Sequence, residues 1–294
     1  MIWVICATFF DLIFDFAVDI FMTDRYCVVG TPIAHSLSPK LHQIFAEQTG
    51  QDIVYFKQEI PPGQFENHMQ VLLEAGVKGF NVTLPFKEEA FRWVDFPSDE
   101  TRLMGALNTI KVLPEGKTQG FSTDGIGLVR DLEKSHGLIL KNKRILLLGA
   151  GGAARSVMPE LIKQGCREIV ISNRTPEKAV ELAVLFNASA CEFSELSKRQ
   201  GLFDLVINAT SVGLFAGLSQ EEIILPNGLI DESSLCYDMV YGKGLTRFLI
   251  WGKNSRAKTS DGLGMLIEQG AESFYIWRGI RPETQGIRAK ILEK

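Results

Sequence analysis

A chain of 294 residues that is 46% hydrophobic has enough apolar material for two packed cores of moderate size. Its net charge of −4 is scattered, with no basic tract and no acidic tail, which argues against nucleic acid or an anionic membrane surface as a partner. The five cysteines (Cys6, Cys27, Cys166, Cys191 and Cys236) are odd in number and far apart, so neither a disulfide framework nor a metal site is indicated, and a reducing cytoplasm is the expected setting.

Met1 to Phe21 is almost wholly apolar, yet Asp11, Asp15 and Asp19 interrupt it and no Lys or Arg precedes Arg25. Each of those acids would cost roughly 2.5–3.5 kcal/mol at the centre of a bilayer, and a signal peptide needs a basic start. The acids recur every fourth residue, so an amphipathic surface helix is one reading; the favoured one is that Met22 is the natural start and residues 1–21 are dispensable for the chemistry. A strand follows at Tyr26 to Val29. Ile53 to Phe56 and Gly79 to Thr83 read as further strands, with an amphipathic helix over Gln64 to Ala75 between them. Thr109–Leu113 and Thr118–Ser122, joined by Pro114-Glu115-Gly116-Lys117, predict a hairpin, and Gly127 to His136 predicts a helix.

The alternation then restarts. Arg144–Leu148, Glu168–Ser172, Leu205–Asn208, Leu235–Met239 and Lys258–Ser260 read as strands. Helices are expected over Ala153–Gln164 and Thr175–Leu185, and again beyond Asp261, with a break near Gly279 and Pro282. Strands alternating with helices specify the α/β class: two α/β domains with a cleft between them, the second of the Rossmann type.

The run Gly149-Ala150-Gly151-Gly152-Ala153-Ala154 follows a buried-type strand and opens a helix, the context that a dinucleotide loop requires. Glycine permits the tight turn and lets backbone N–H groups approach a pyrophosphate, and the helix start faces it with partial positive charge. At the end of the next strand an NAD site would carry an acid, but this chain reads Ser172-Asn173-Arg174-Thr175-Pro176. Arg174 can fork onto a ribose 2′-phosphate, Asn173 and Thr175 can add hydrogen bonds, and Lys178 reinforces the charge. NADP is the expected cofactor.

Three clusters in the first half are dense in polar groups. Ser36 and Ser38-Pro39 lie at a helix start; Ser38 resembles an N-cap, and their hydroxyls suit a carboxylate, although capping alone accounts for them equally well. Asn81 and Thr83 share a strand face, and Lys87 lies just beyond at a helix start, where the dipole disfavours a cation. That misfit suggests chemistry, though a solvated lysine is the commoner case. Asn108-Thr109 and Ser122-Thr123-Asp124-Gly125 form the third cluster, in which Asp124 reads either as a functional acid or as a helix cap.

Taken in order, these segments resemble the shikimate dehydrogenase family from Met22 to the C-terminus. The shared pattern is Gly30-x-Pro32-Ile33-x-His35-Ser36-x-Ser38-Pro39, Asn81-Val82-Thr83-x-Pro85-x-Lys87, Gly105-Ala106-Leu107-Asn108-Thr109, Thr123-Asp124-Gly125, Asn208-Ala209-Thr210-Ser211-Val212-Gly213, Tyr237-Asp238-Met239-x-Tyr241 and Asp261-Gly262-x-Gly264-Met265-Leu266-x-x-Gln269, together with the glycine loop and Asn173-Arg174-Thr175. The resemblance implies reversible NADPH-linked reduction of 3-dehydroshikimate to shikimate, a step of aromatic amino-acid biosynthesis. It implies Lys87 and Asp124 as the catalytic pair and Ser36, Ser38, Asn81, Thr83, Asn108, Tyr241 and Gln269 around the substrate. Thr210, Met239, Gly262 and Met265 would join the cofactor site, with Met265 near the nicotinamide.

The resemblance further implies a substrate domain of residues 22–123 plus 262–294 and a cofactor domain of residues 124–261, in a cytoplasmic monomer or homodimer. Ser122 stands where the family usually has Asn, and Gln43 replaces the usual Asn after His42. Three alternatives remain open at this point: a dual quinate/shikimate dehydrogenase, a relative that binds shikimate-like acids without turnover, and a structural or interaction protein built around the apolar N-terminus.

Overall fold

The computed structural model describes residues 23–199, 201–210, 225–242 and 244–293. The apolar stretch 1–21 and the Ser211-Val212-Gly213 part of the family pattern lie outside the described residues. Among the described residues no helix is long and apolar enough to cross a membrane.

The first half contributes β1 (Asp24–Gly30), α1 (Ser38–Thr49), β2 (Ile53–Glu59), α2 (Phe65–Glu74), β3 (Val77–Val82), α3 (Lys87–Trp93), β4 (Phe96–Pro97), α4 (Asp99–Met104), β5 (Thr109–Val112) and β6 (Thr118–Phe121). These strands form a six-stranded sheet in the order β2-β1-β3-β5-β6-β4. β1 pairs in parallel with β2 and β3, whereas β5 and β6 form the expected antiparallel hairpin. Along β1 the pleat sends Cys27 and Val29 into a core with Phe65, Met69, Phe86 and Ala90. Tyr26 points the other way and stacks on Trp277, ring centroids 4.8 Å apart.

Next come α5 (Asp124–His136), β7 (Arg144–Leu148), α6 (Gly152–Lys163), β8 (Glu168–Ser172), α7 (Pro176–Phe186) and β9 (Ser189–Ala190). After a 3-10 turn at Phe193–Lys198 the chain continues through β10 (Leu205–Asn208), β11 (Leu235–Asp238), α8 (Arg247–Asn254), β12 (Lys258–Asp261), α9 (Leu263–Arg278) and α10 (Ile287–Leu292). The second sheet runs β12-β11-β10-β7-β8-β9, and its neighbouring strands pair in parallel throughout. Its strands read as continuous apolar runs because both faces are covered. Ile145 and Leu147 pack with Leu128, Leu132, Val157 and Leu161 on one side. Leu146 and Leu148 pack with Leu196, Phe203, Phe248 and Leu249 on the other.

Strand order reverses between β7 and β10, the switch point at which a parallel α/β sheet offers a crevice at the C-terminal ends of its strands. The last two helices return to the first sheet: Leu263, Ile267, Phe274, Ile287 and Ile291 pack against Leu41 and Phe45 of α1. Helix α5 lies between the two halves, in contact with both α6 and α9. It approaches α9 closely at Gly127, where a Cβ would come within 2.7 Å of Gln269 Cβ and 2.8 Å of its backbone nitrogen.

One local expectation is corrected. Leu37, not Ser38, is the N-cap of α1, and Ser38 is its first residue. Ser36 Oγ accepts the Ser38 N–H at 3.2 Å, so a hydroxyl two residues upstream already satisfies that donor, and Pro39 is tolerated anywhere in the first turn.

Candidate active site

β3 ends at Val82 and the chain turns through Thr83-Leu84-Pro85-Phe86 into α3, whose first residue is Lys87. The Lys87 carbonyl accepts the Leu107 N–H at 3.1 Å, which ties this helix start to the segment leading into β5. β6 passes through Ser122 and Thr123 into α5, which begins at Asp124. The two helix starts face each other. Lys87 Nζ lies 2.5 Å from Asp124 Oδ2, with the side chains only 14% and 9% exposed. The cation that its own helix dipole disfavours is thus held by a carboxylate, and that carboxylate is stabilised by the positive end of α5.

Asp124 is held on its second oxygen as well. Asn108 Nδ2 donates to Asp124 Oδ1 at 2.8 Å and lies 3.2 Å from Gln269 Oε1 on α9. Asn108 Oδ1 accepts the Thr123 backbone N–H at 2.8 Å. Behind Asn108, Asn81 Nδ2 donates to Thr109 Oγ1 at 3.1 Å and to Ser273 Oγ at 3.0 Å. Asn81 Oδ1 accepts the Tyr55 hydroxyl at 2.8 Å. Both ends of the Asn81 amide are therefore engaged by protein groups, so this residue orients the floor of the site. Thr83 sits above Gly30, with its methyl where a Cβ on that glycine would lie.

At the other rim, the Ser36 hydroxyl donates to Ser38 Oγ at 3.1 Å. Tyr241, half-buried beyond β11, packs with Leu37 against the cluster that contains Leu41 and Leu263. Burial pushes its phenol upward, and the adjacent Leu37 backbone partly offsets that. Under this floor lies His42, fully buried and stacked on Tyr55 with ring centroids 4.2 Å apart. Neither of its ring nitrogens has a hydrogen-bond partner. Burial, only partly offset by the neighbouring Asn81 amide, holds its pKa down to about 3 against an ordinary 6.5, so the folded ring stays neutral.

Between these two values the unfolded chain binds a proton that the folded one refuses, so stability rises with pH through that window. Replacing His42 with phenylalanine is expected to reduce the slope of unfolding free energy against pH, between about pH 4 and 6, by about 1.4 kcal/mol per pH unit. Urea melts across that range check this; an unaltered slope would mean that His42 charges in the folded state.

At the crevice of the second sheet, Gly149 follows β7 with φ +105°, and a Cβ there would meet the Ala209 carbonyl at 3.1 Å. Only glycine combines that conformation with so close a neighbouring strand end. Its N–H donates to Ser172 O at 2.8 Å, which sets the glycine loop beside the Asn173-Arg174-Thr175 turn. Asn173 Nδ2 donates to the Thr175 carbonyl at 2.9 Å, and Arg174, Thr175 and Lys178 are exposed around it. Helix α6 starts after Gly151 with no side-chain cap, so the amides of its first turn face the crevice.

The opposite wall is braced by a buried network. Asn208 Nδ2 donates to Asp238 Oδ1 at 3.0 Å, the Thr210 hydroxyl donates to Asn208 Oδ1 at 2.7 Å, and the Met239 N–H donates to Asn208 O at 3.0 Å. Gly262 presses on Met239, whose carbonyl a Cβ there would meet at 2.3 Å. A glycine with positive φ, an uncapped twelve-residue helix and an arginine at the neighbouring turn together fit a phosphorylated dinucleotide.

The chain matches three family profiles: "Shikimate dehydrogenase substrate binding domain" over residues 28–110, "Shikimate / quinate 5-dehydrogenase" over 131–224, and "Shikimate 5'-dehydrogenase C-terminal domain" over 262–292. It is 46% identical over 275 residues to the shikimate dehydrogenase (NADP(+)) of Alkalilimnicola ehrlichii, covering 92% of this chain and 99% of that one. The chain belongs to the shikimate dehydrogenase family. Among solved structures, shikimate 5-dehydrogenase from Thermus thermophilus, in complex with NADP(H) and shikimate, superposes with a TM-score of 0.80 at 36% identity, covering 91% of this chain and 98% of that one. An Ael1 enzyme from Pseudomonas putida superposes at 0.84 with 38% identity, covering 92% and 99%.

Within this family frame, the structure joins Lys87, Asp124, Asn108 and Gln269 in one hydrogen-bonded cluster. The glycine loop and Arg174 sit on the second sheet, at the ends of adjacent strands. Sequence reading missed Tyr55 and Ser273, which hold the floor. Ser273 had a signal, since it lies four residues beyond Gln269 on the same helix face; Tyr55, on a strand of half-buried residues, had none.

Proposed function

We propose that this chain catalyses the reversible NADPH-dependent reduction of 3-dehydroshikimate to shikimate. The observation that carries the reading is the Lys87–Asp124 pair, shielded from solvent and oriented by Asn108 and Gln269. Ser36 and Ser38 suit the substrate carboxylate, and Thr83, Asn108, Gln269 and Tyr241 its ring hydroxyls. Asn81 acts through Asn108 and Thr109. The substrate domain in this reading comprises residues 22–123 and 262–294, and the cofactor domain residues 124–261.

Gly149, Ala150, Gly151, Gly152 and Ala153 would hold the pyrophosphate on the start of α6. Asn173, Arg174, Thr175 and Lys178 would hold the 2′-phosphate, and Thr210, Met239, Gly262 and Met265 the nicotinamide end. When bound, the reduced cofactor supplies the hydride for the C3 carbonyl. The ammonium of Lys87 stabilises the negative charge that grows on the carbonyl oxygen and delivers a proton from Nζ. Asp124 keeps that ammonium aimed, and Asn108 holds the other carboxylate oxygen. We place the enzyme in the cytoplasm as a monomer or homodimer.

Purified protein mixed with shikimate and NADP⁺ is expected to produce NADPH, with NAD⁺ a much poorer acceptor. Absence of turnover with intact shikimate binding would favour a non-catalytic relative instead. A second reading, dual use of quinate, is favoured by Ser122. It stands where the family usually has Asn, and its buried hydroxyl has no hydrogen-bond partner. Quinate assayed beside shikimate decides it.

A further inference from the structure

Tyr237 belongs to none of the groups just assigned, yet it is fully buried at the point where the two halves of the molecule meet. It lies on β11, and its hydroxyl donates to Asp131 Oδ2 of α5 at 2.6 Å. The phenol oxygen of Tyr237 in turn accepts the backbone N–H of Met265, in the first turn of α9, at 3.2 Å. One phenol thus joins the second sheet, the helix that starts with Asp124, and the helix that carries Met265 and Gln269.

The start of α9 needs outside partners. Its N-cap is Gly262, which has no side chain to offer. The Gly262 N–H goes to Val240 O at 3.1 Å, that of Leu263 to Asp261 Oδ1 at 3.3 Å, and that of Met265 to Tyr237. Asp131 adds its charge at this positive helix end: it lies against Gly264, where a Cβ would come within 2.0 Å of Oδ1. The Ser135 hydroxyl donates to Asp131 Oδ1 at 2.6 Å, so both carboxylate oxygens are held.

The positions along the helices give this arrangement its consequence. Asp131 lies seven residues after Asp124, on the same face of α5, and Gln269 lies four residues after Met265, on the same face of α9. The helices cross between these points, at Gly127. They are joined at one end through Asn108, which bonds both Asp124 and Gln269, and at the other through Tyr237, which bonds both Asp131 and Met265. Further along, the Arg130–Glu272 and Lys134–Glu268 ion pairs also tie α5 to α9, so loss of the Tyr237 joint would loosen the first turn of α9, which carries Met265, rather than the whole helix.

We propose that Tyr237 is a positioning residue for hydride transfer, acting through Asp131 and Met265 to hold the first turn of α9 against α5. The assignment rests on the shikimate dehydrogenase reading above. Burial, with the neighbouring Asp131 charge, holds the phenol well above its ordinary pKa, so it remains a donor across the working range.

Tyr237→Phe removes the hydroxyl and keeps the ring. In the protein without ligands, amide hydrogen exchange at Met265 is expected to accelerate at least about tenfold, because its acceptor is gone. In steady state with shikimate and NADP⁺, kcat is expected to fall about tenfold or more, with both KM values within about threefold. The primary isotope effect with C3-deuterated shikimate should rise as hydride transfer becomes limiting.

A folded Tyr237→Phe enzyme with native Met265 exchange, kcat and isotope effect overturns the proposal. If that variant does not fold, Asp131→Asn is measured by the same readouts. It keeps an acceptor for the phenol but removes the charge, so a smaller shift in the same direction is expected, and no shift overturns the proposal. Wild-type protein that fails to oxidise shikimate overturns the function and this assignment together; an active wild type beside an unaffected variant overturns this assignment alone.

Discussion

Replacing Lys87 with alanine is expected to lower kcat by about 10²–10⁴-fold while KM for shikimate changes by no more than about twofold. The size follows from the two tasks assigned to one ammonium, charge stabilisation and proton delivery, both of which matter only as the transition state forms. The near-constancy of KM follows from the geometry and the proposed reading. Lys87 is already committed to Asp124 at 2.5 Å, and Ser36, Ser38, Thr83 and Asn108 are the residues proposed to hold the ground-state substrate. Arginine is not expected to rescue, since a guanidinium does not release its proton at working pH. Steady-state kinetics in both directions check the assignment. A variant that keeps near-native kcat would remove Lys87 from the mechanism, and a loss confined to KM would make it a binding residue.

The second large effect concerns the cofactor. Arg174→Ala is expected to lower kcat/KM for NADP⁺ by about 10- to 100-fold and to leave the slower reaction with NAD⁺ nearly unchanged. A hydrogen bond to a charged group contributes about 1.5–3 kcal/mol, which is the size of that loss. Arg174 is exposed at the end of β8, in the turn that the Gly149–Ser172 bond sets beside the glycine loop. The residue lies outside the packed cores, so the fold should tolerate its truncation and the effect should be confined to one cofactor. Equal losses with both cofactors would place Arg174 elsewhere than at the 2′-phosphate. Arg174→Asp, which puts a negative charge beside the phosphate, should deepen the discrimination against NADP⁺.

Much of this was legible along the chain, and the reason is local. The buried strands Arg144–Leu148, Glu168–Ser172 and Leu205–Asn208 carry continuous apolar runs with sharp ends, and the structure has the same bounds. The short pieces Phe96–Pro97, Asp99–Met104 and Ser189–Ala190 went unread, because two to six residues complete too little of a period to register. At Ser38 the residue type was right for a cap but the position was not, since which hydroxyl meets the amide depends on the bend of Ser36-Leu37 before it.

By itself the sequence determined the chemical inventory: a glycine turn at a helix start, an arginine where an acid would otherwise select NAD, and a lysine misplaced for its own helix. Each is a matter of residue type at a spacing of a few positions, and local geometry translates such spacing directly. Only the tertiary structure decided what these groups meet. Lys87 and Asp124 are 37 residues apart, Asn108 and Gln269 are 161 apart, and Tyr237 reaches back 106 residues to Asp131 and forward 28 to Met265. Such pairings leave no periodic trace in a chain, because they arise from how whole helices cross and return. In this molecule they depend on α9 packing back onto α1 and crossing α5 at Gly127, a contact set by side-chain volumes at positions far apart in the sequence.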